Sequence, residues 1–197
     1  GHCQGHGRIT PRVEQLVTML SSIDSARSTE NLWGERWSKL CANAMGNGVS
    51  ASTGFSSNEV AREPLTRRLQ IKLAGEAITV GQALGYALEE INKHPAEDWI
   101  TAASGDATAL ATVEASRLAQ TKTTAEGSRP SMGQDIQKGR RTEIEQINGF
   151  IVEKAAEVGL EAPANAFLVE AVKQVERGLA QPSLDRVRDA PLGAIAI

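Results

Sequence analysis

Trp37-Ser38-Lys39-Leu40-Cys41-Ala42-Asn43-Ala44-Met45-Gly46-Asn47 is the stretch whose pattern decides how this chain folds. Leu40, Cys41, Ala44 and Met45, with Leu32, Trp33 and Trp37 ahead of them, mark the apolar side of a helical segment over residues 30–54. Lys39, Asn43 and Asn47 stand at i, i+4 and i+8, which on one helix makes a single polar stripe between apolar neighbours. Asparagine competes for backbone hydrogen bonds and is a poor helix-interior residue, so two in register need a reason. Two readings fit the stripe. In one, the lysine snorkels along apolar surface and the amides bridge helices. In the other, the stripe faces a partly enclosed space, where a lysine flanked by amides can donate a proton to a developing alkoxide.

Outward from this stretch the pattern stays helical. Gly1 to Gly7 are glycine-rich and without period, a connection. Thr10-Pro11 starts a helix with Val13, Leu16, Val17 and Leu20 on one face. A long helix is expected from Pro64 to Ile91, with Gly75, Gly81 and Gly85 within it. Glycine in a helix costs ~1 kcal/mol against alanine, so these glycines imply close approach of another helix, in a tight bundle or a subunit contact. A further helix spans residues 106–121, and residues 123–130 read as a loop. Ser131-Met132-Gly133-Gln134 fits a capping box. Ile144, Ile147, Ile151, Ala155 and Val158 line one helical face up to Gly159, and Asn165 is placed to cap a last helix through about Arg177. Residues 181–197 are poorly patterned. With no convincing strand and no repeat, the expected fold is one all-α domain.

Composition narrows the function class. The 197 residues carry a net charge of −3, which argues against nucleic acid or an anionic membrane as main partner, since both call for a basic face. No apolar run approaches the ~20 residues of a membrane span, and the start lacks a charged-then-apolar signal segment. Cys3 and Cys41 make no CxxC spacing or disulfide framework, so they read as free thiols in a reducing compartment. The expected location is the cytoplasm.

A second constellation joins Ser131 and Glu143. Glu143 lies four residues before Ile147, so it starts the same face as Ile147 and Ile151. It either sits buried beside a partner or makes a surface ion pair with Arg140 or Arg141. Ser131, at a helix N-terminus, is either a plain cap or part of a site for an anion such as a carboxylate. Two look-alikes fall away. Gly46-Asn47-Gly48-Val49-Ser50-Ala51 imitates a nucleotide fingerprint but follows a helix rather than a strand. His2, Cys3 and His6 are three candidate metal ligands without a fourth, so no metal is expected.

Taken together, Trp37-x-Lys39-Leu40-x-x-Asn43-x-x-x-Asn47 and the following Thr53-Gly54 closely resemble the first helix of the C-terminal domain of the ketopantoate reductase family. Pro130-Ser131-Met132-x-Gln134-Asp135-Ile136, Gly139-Arg140-Arg141-Thr142-Glu143-Ile144, Ile147-Asn148-Gly149 and Pro163-x-Asn165 match the same family in order, so the resemblance runs to about Gly178. It implies a helical domain of the 6-phosphogluconate dehydrogenase-like type over residues 11–180, a remnant of an N-terminal domain and linker over 1–10, and a tail over 181–197. It implies an NADPH-dependent reductase that turns 2-dehydropantoate into pantoate, a step of pantothenate biosynthesis, with NADPH bound mainly by an N-terminal Rossmann domain that this sequence does not contain. It makes Lys39 the general acid. It gives substrate binding to Asn43, Asn47 and Ser131, with Ser131 at the carboxylate, and cofactor binding to Glu143. Ten residues after Asn47, where the family carries a further substrate-binding asparagine, an ungapped register puts Ser57, with Asn58 next to it. A related reductase for another 2-oxo acid and a non-catalytic helical dimerisation domain are the alternatives, and a homodimer is an expected assembly.

Overall fold

Residues 8–197 are described in the structure, a computed structural model. They form ten α-helices and no strand, apart from an isolated bridge between Ile91 and His94. α1 (Pro11–Leu20) is capped by Thr10, whose hydroxyl accepts from the Val13 N–H at 3.4 Å. α2 (Leu32–Ala44) and α3 (Asn47–Thr53) follow, then α4 (Ser57–Arg62), α5 (Pro64–Ala83), α6 (Ala96–Ala103) and α7 (Ala107–Gln120). α8 (Ser131–Gln137) precedes a π turn (Glu145–Gly149) that runs straight into α9 (Phe150–Glu157), and α10 (Pro163–Glu176) is last. The all-α expectation holds.

α5 is the axis of the bundle. Leu69, Ile71, Leu73, Ala74, Ala77, Ile78 and Val80 are buried on it, and α2, α4, α6, α7, α9 and α10 pack around it. Its glycines admit two of these neighbours. A Cβ on Gly75 would lie 2.5 Å from Ala103 Cβ of α6, and one on Gly81 would lie 2.2 Å from Trp37 Nε1 of α2. The close approach at Gly75 and Gly81 is therefore made within the chain. Gly81→Val is expected to lower stability by about 3 kcal/mol, the upper range for overpacking, because the new side chain displaces the indole whose Nε1 donates to Ala77 O at 2.9 Å. Urea denaturation checks this; an unchanged midpoint would mean that α2 shifts freely.

The structure corrects several boundaries. α5 ends at Ala83, not at residue 91, because Gly85 takes a left-handed φ of 82° just past the cap at Leu84. The expected single segment over 30–54 breaks at Met45 and Gly46. Ser131 is the first helical residue of α8 and makes no capping bond; Pro130 holds the cap position, and Gln134 donates to Arg129 O at 2.9 Å instead. Asn165 lies inside α10, fully buried, while Pro163 opens the helix. α4 and α6 are helices beyond those the sequence pattern leads one to expect. Ser56 and Glu59 form a real capping box at α4, and α6 buries Trp99 in the core. The poorly patterned 181–197 folds into two 3₁₀ turns that bury Val187, Leu192 and Ile195.

The π turn is anchored from α10. Lys173 Nζ approaches Glu145 Oε1 at 3.0 Å, and Arg141 approaches the other oxygen at 2.6 Å. Lys173 first, then Arg141, holds this carboxyl below its ordinary range.

Candidate active site

Lys39 and Asn43 owe their position to what grips α2 from behind. Trp37 stacks at 5.3 Å from Tyr86 and 6.0 Å from Phe150. Ser38 Oγ donates to Gly34 O at 2.8 Å and accepts from the Glu89 N–H at 2.9 Å. A Cβ on Gly34 would fall 1.8 Å from Ala87 O, so only glycine lets the segment after α5 lie against α2. Lys39 is left exposed on the rim of a depression of about 220 Å³ whose wall includes Ser38, Ala42, Glu89 and Asn92. Among the described residues Lys39 enters no ion pair.

The break after α2 sits on a buried chain of amides. Asn148, in the π turn, donates through Nδ2 to Ala44 O at 3.0 Å and to Asn165 Oδ1 at 2.9 Å. Asn165 Nδ2 in turn donates to Glu76 Oε2 at 2.9 Å and Leu73 O at 3.3 Å. Glu76 accepts the Ala164 and Asn165 N–H groups, both at 3.0 Å, at the start of α10. The chain thus ties the end of α2 to α5 and α10, and Asn148 Oδ1 is left without a partner.

Asn47 opens α3 and lines a second cavity of about 230 Å³. This cavity adjoins the depression beside Lys39, sharing Ala42 and Asn92 with it. Asn92 holds a positive φ of 51°, a conformation asparagine tolerates, and donates to Met45 Sδ at 3.1 Å. Asn43 is half-buried one turn from Lys39. The expected continuous stripe is therefore split across two helices, with Lys39 and Asn47 on neighbouring walls. Ser131 is exposed, and the adjacent Pro130 reaches the cavity. Glu143 is exposed just ahead of the π turn, while Ile144 takes the buried place. Neither of its sequence readings is realised, since Arg141 pairs with Glu145 instead.

Ser57, not Asn58, faces the cavity. Asn58 is buried and donates to Thr124 O at 3.0 Å. The glycines of the false fingerprint serve packing: a Cβ on Gly48 would meet Leu168 Cδ2 at 2.8 Å. Cys41 is buried, and that burial pushes its thiol up to about 12, which removes it as a nucleophile.

Sequence reasoning missed Arg117, on the cavity wall. Its Nε and Nη2 donate to Gln70 Oε1 at 3.3 and 3.1 Å, and its Nη1 donates to Gln120 Oε1. Burial pulls its pKa down to about 10, so it remains a cation at neutral pH. The signal was available: Arg117 stands four residues after Val113, which is buried on the same face of α7. The two depressions differ in character: amides, hydroxyls and Arg117 line the second, a donor-rich wall suited to a small oxygen-rich anion, whereas Glu35, Glu89 and Glu90 stand with Arg27 and Lys39 around the first. Among the described residues no three His, Cys, Asp or Glu side chains gather as metal ligands; His2, Cys3 and His6 lie outside those residues. Nor is any described helix long and apolar enough to cross a membrane.

The sequence model for the C-terminal region of ketopantoate reductase PanE/ApbA matches residues 31–176. A 2-dehydropantoate 2-reductase of Archaeoglobus fulgidus is 29% identical over 174 residues, covering 88% of this chain and 51% of that protein. Among solved structures, a PanE/ApbA family ketopantoate reductase from Ralstonia eutropha superposes with a TM-score of 0.65 at 23% identity, over 86% of this chain and 50% of that one. A D-mandelate dehydrogenase in complex with NADH and anilino(oxo)acetate gives 0.67 at 24% identity, over 85% and 49%. The chain spans about half the length of the curated relatives it matches.

Proposed function

The chain belongs to the ketopantoate reductase family, as its helical C-terminal domain, and on that premise we propose that it is the substrate-binding and catalytic half of an NADPH-dependent reductase of a small 2-oxo acid, 2-dehydropantoate first among them. One observation carries the reading: Lys39 and Asn47 line adjoining depressions that meet at Ala42 and Asn92. NADPH, held mainly by an N-terminal Rossmann domain, supplies the hydride. Lys39, with its ammonium unpaired, stabilises and then protonates the carbonyl oxygen as negative charge builds there. Asn43 and Asn47 orient the substrate through their amides. Ser131, at the mouth beside Pro130, donates to the carboxylate. Glu143, exposed, accepts from cofactor ribose and a substrate hydroxyl, a role its open carboxylate fits. For a homodimer, the exposed Leu16, Met19 and Leu20 of α1 offer an apolar face that α5 does not.

A second reading, a different 2-oxo acid, is favoured by Ser57 on the wall where the resemblance calls for asparagine. A hydroxyl reaches less far than an amide and reshapes the substrate pocket. The test joins this chain to its nucleotide-binding domain and follows NADPH oxidation with 2-dehydropantoate and with other 2-oxo acids. Reduction of any of them is the expected result, and reduction of none would overturn the reading. The chain by itself is expected to give no saturable NADPH titration in a calorimeter, because the cofactor's pyrophosphate needs the backbone N–H groups of a glycine turn after a strand. Tight binding by the chain alone would place the cofactor site in the helical domain.

A further inference from the structure

Arg117 is a half-buried cation without a counter-charge, on a wall that faces a cavity. Glu114 stands one turn before it on α7, but its carboxylate is taken by Arg67 at 3.1 Å and Arg68 at 3.5 Å. Among the described residues no ion pair includes Arg117, and no carboxylate lines its cavity. What holds the guanidinium is neutral. Gln70 Oε1 accepts from Nε and Nη2, and Gln120 Oε1 accepts from Nη1. These amides cancel none of the charge and leave one hydrogen on each terminal nitrogen. A partly enclosed charge without a partner is unfavourable, so this wall favours an anion from outside, and a carboxylate is the acceptor that guanidinium hydrogens suit best.

The adjoining depression has the opposite character, with Glu35, Glu89 and Glu90 around Arg27 and Lys39. Arg27 is taken by Glu35 at 3.2 Å, and Glu89 is met only by a neutral amide, Asn31 Nδ2 at 2.8 Å. A carboxylate placed there meets like charge, whereas a neutral carbonyl does not. The two spaces meet at Ala42 and Asn92, so a small 2-oxo acid lying across the junction has one favourable direction. Its carboxylate goes to α7, and its carbonyl turns toward Lys39, whose flexible stem lets the ammonium come to meet it. We infer that Arg117 is the ionic seat of the substrate's own carboxylate and so sets the direction in which a 2-oxo acid lies. Arg117 is then a positioning residue, and Ser131 at the mouth adds a neutral hydroxyl to the same carboxylate. The direction rests on the reductase reading; the anion seat rests on the cavity alone.

The test sets a 2-oxo acid against its own neutral amide, with calorimetry on the full chain. 2-Oxopentanoate is expected to bind at least about tenfold more tightly than 2-oxopentanamide, the usual strength of a charge-assisted pair. Arg117→Gln should abolish that preference by weakening the acid and not the amide, and Arg117→Lys should keep part of it, since it retains the charge and loses the fork. Ser131→Ala should leave most of it. An acid that binds the unaltered chain no more tightly than the amide would overturn the inference, even if Arg117→Gln fails to fold. So would an equal loss of both probes in Arg117→Gln, the mark of a merely structural arginine, or a preference lost in Ser131→Ala and kept in Arg117→Gln. Pentanoate, which has no carbonyl, bound through Arg117 while the joined protein reduces no 2-oxo acid would sustain the anion seat and overturn the reductase reading. Reduction of 2-oxo acids with kcat/KM unchanged by Arg117→Gln would do the reverse.

Discussion

Lys39→Ala in the joined protein is expected to lower kcat by about 10²–10⁴-fold, the usual range for loss of a general acid, while its melting temperature stays put. The structure separates these two effects. Lys39 is exposed and joins no ion pair, so removing it leaves no buried group unsatisfied, and a surface change of this kind stays within about 0.5 kcal/mol. Asn43→Ala, one turn along, should mainly raise KM, because an amide that orients the substrate acts in the ground state as much as in the transition state. Steady-state kinetics beside a melting curve decide the matter. An unchanged kcat for Lys39→Ala would show that the side chain is a solvated surface lysine and that the proton comes from elsewhere.

Asn165→Ala should be the most damaging single truncation to stability, at about 3–5 kcal/mol. Asn165 is fully buried and satisfies three neighbours at once: it accepts from Asn148 Nδ2, and its own amide serves Glu76 Oε2 and Leu73 O. Alanine removes all three hydrogen bonds from a dry interior, each at about 1–1.5 kcal/mol and more at the charged Glu76, although Glu76 Oε2 keeps the backbone N–H of residue 165 and Asn148 keeps Ala44 O. The damage should also travel. Asn148 loses one of its two anchors and keeps only Ala44 O, where α2 ends, so KM is expected to rise although residue 165 touches no substrate. Urea denaturation with a fitted midpoint and slope measures the first effect. A loss below about 1 kcal/mol would mean that water replaces the amide and that the network is not continuous.

The fold class could be read from the sequence because it depends on apolar periodicity, which survives local irregularity. The breaks could not, because their causes are remote in sequence. Ala44 O is met by Asn148, and nothing near residue 44 announces it. Gly81 reads as a propensity penalty until Trp37 is placed against it. Ser131-x-x-Gln134 has the letters of a capping box, yet a Cβ on Gly133 between them would meet Ser50 Oγ at 2.6 Å; packing of α8 on α3, rather than capping, sets that helix start. α4 and α6 were legible in principle, since Ser56-x-x-Glu59 and the acidic turn after Pro95 are ordinary start signals. For the site, spacing brought out Lys39 and Asn47. Arg117 stayed hidden because an arginine on a helix is usually solvated, and only the third dimension shows Glu114 turned away to Arg67 and Arg68.

The π turn at Glu145–Gly149 has a consequence for aligning this chain with its relatives. A wide turn holds one residue more than a regular α turn. Against a relative whose helix is regular, a one-residue gap therefore belongs within 145–149, and nowhere else along that helix. Glu143 lies before the gap and Asn148 within the turn, so an alignment that omits the gap shifts one of them by a whole position, about 100° around the axis. It would put the buried Ile144 in the column of an exposed acid and pair Asn148 with a residue that cannot reach Ala44. Roles carried across relatives by column are thus sound on either side of this turn only when the extra residue has been counted.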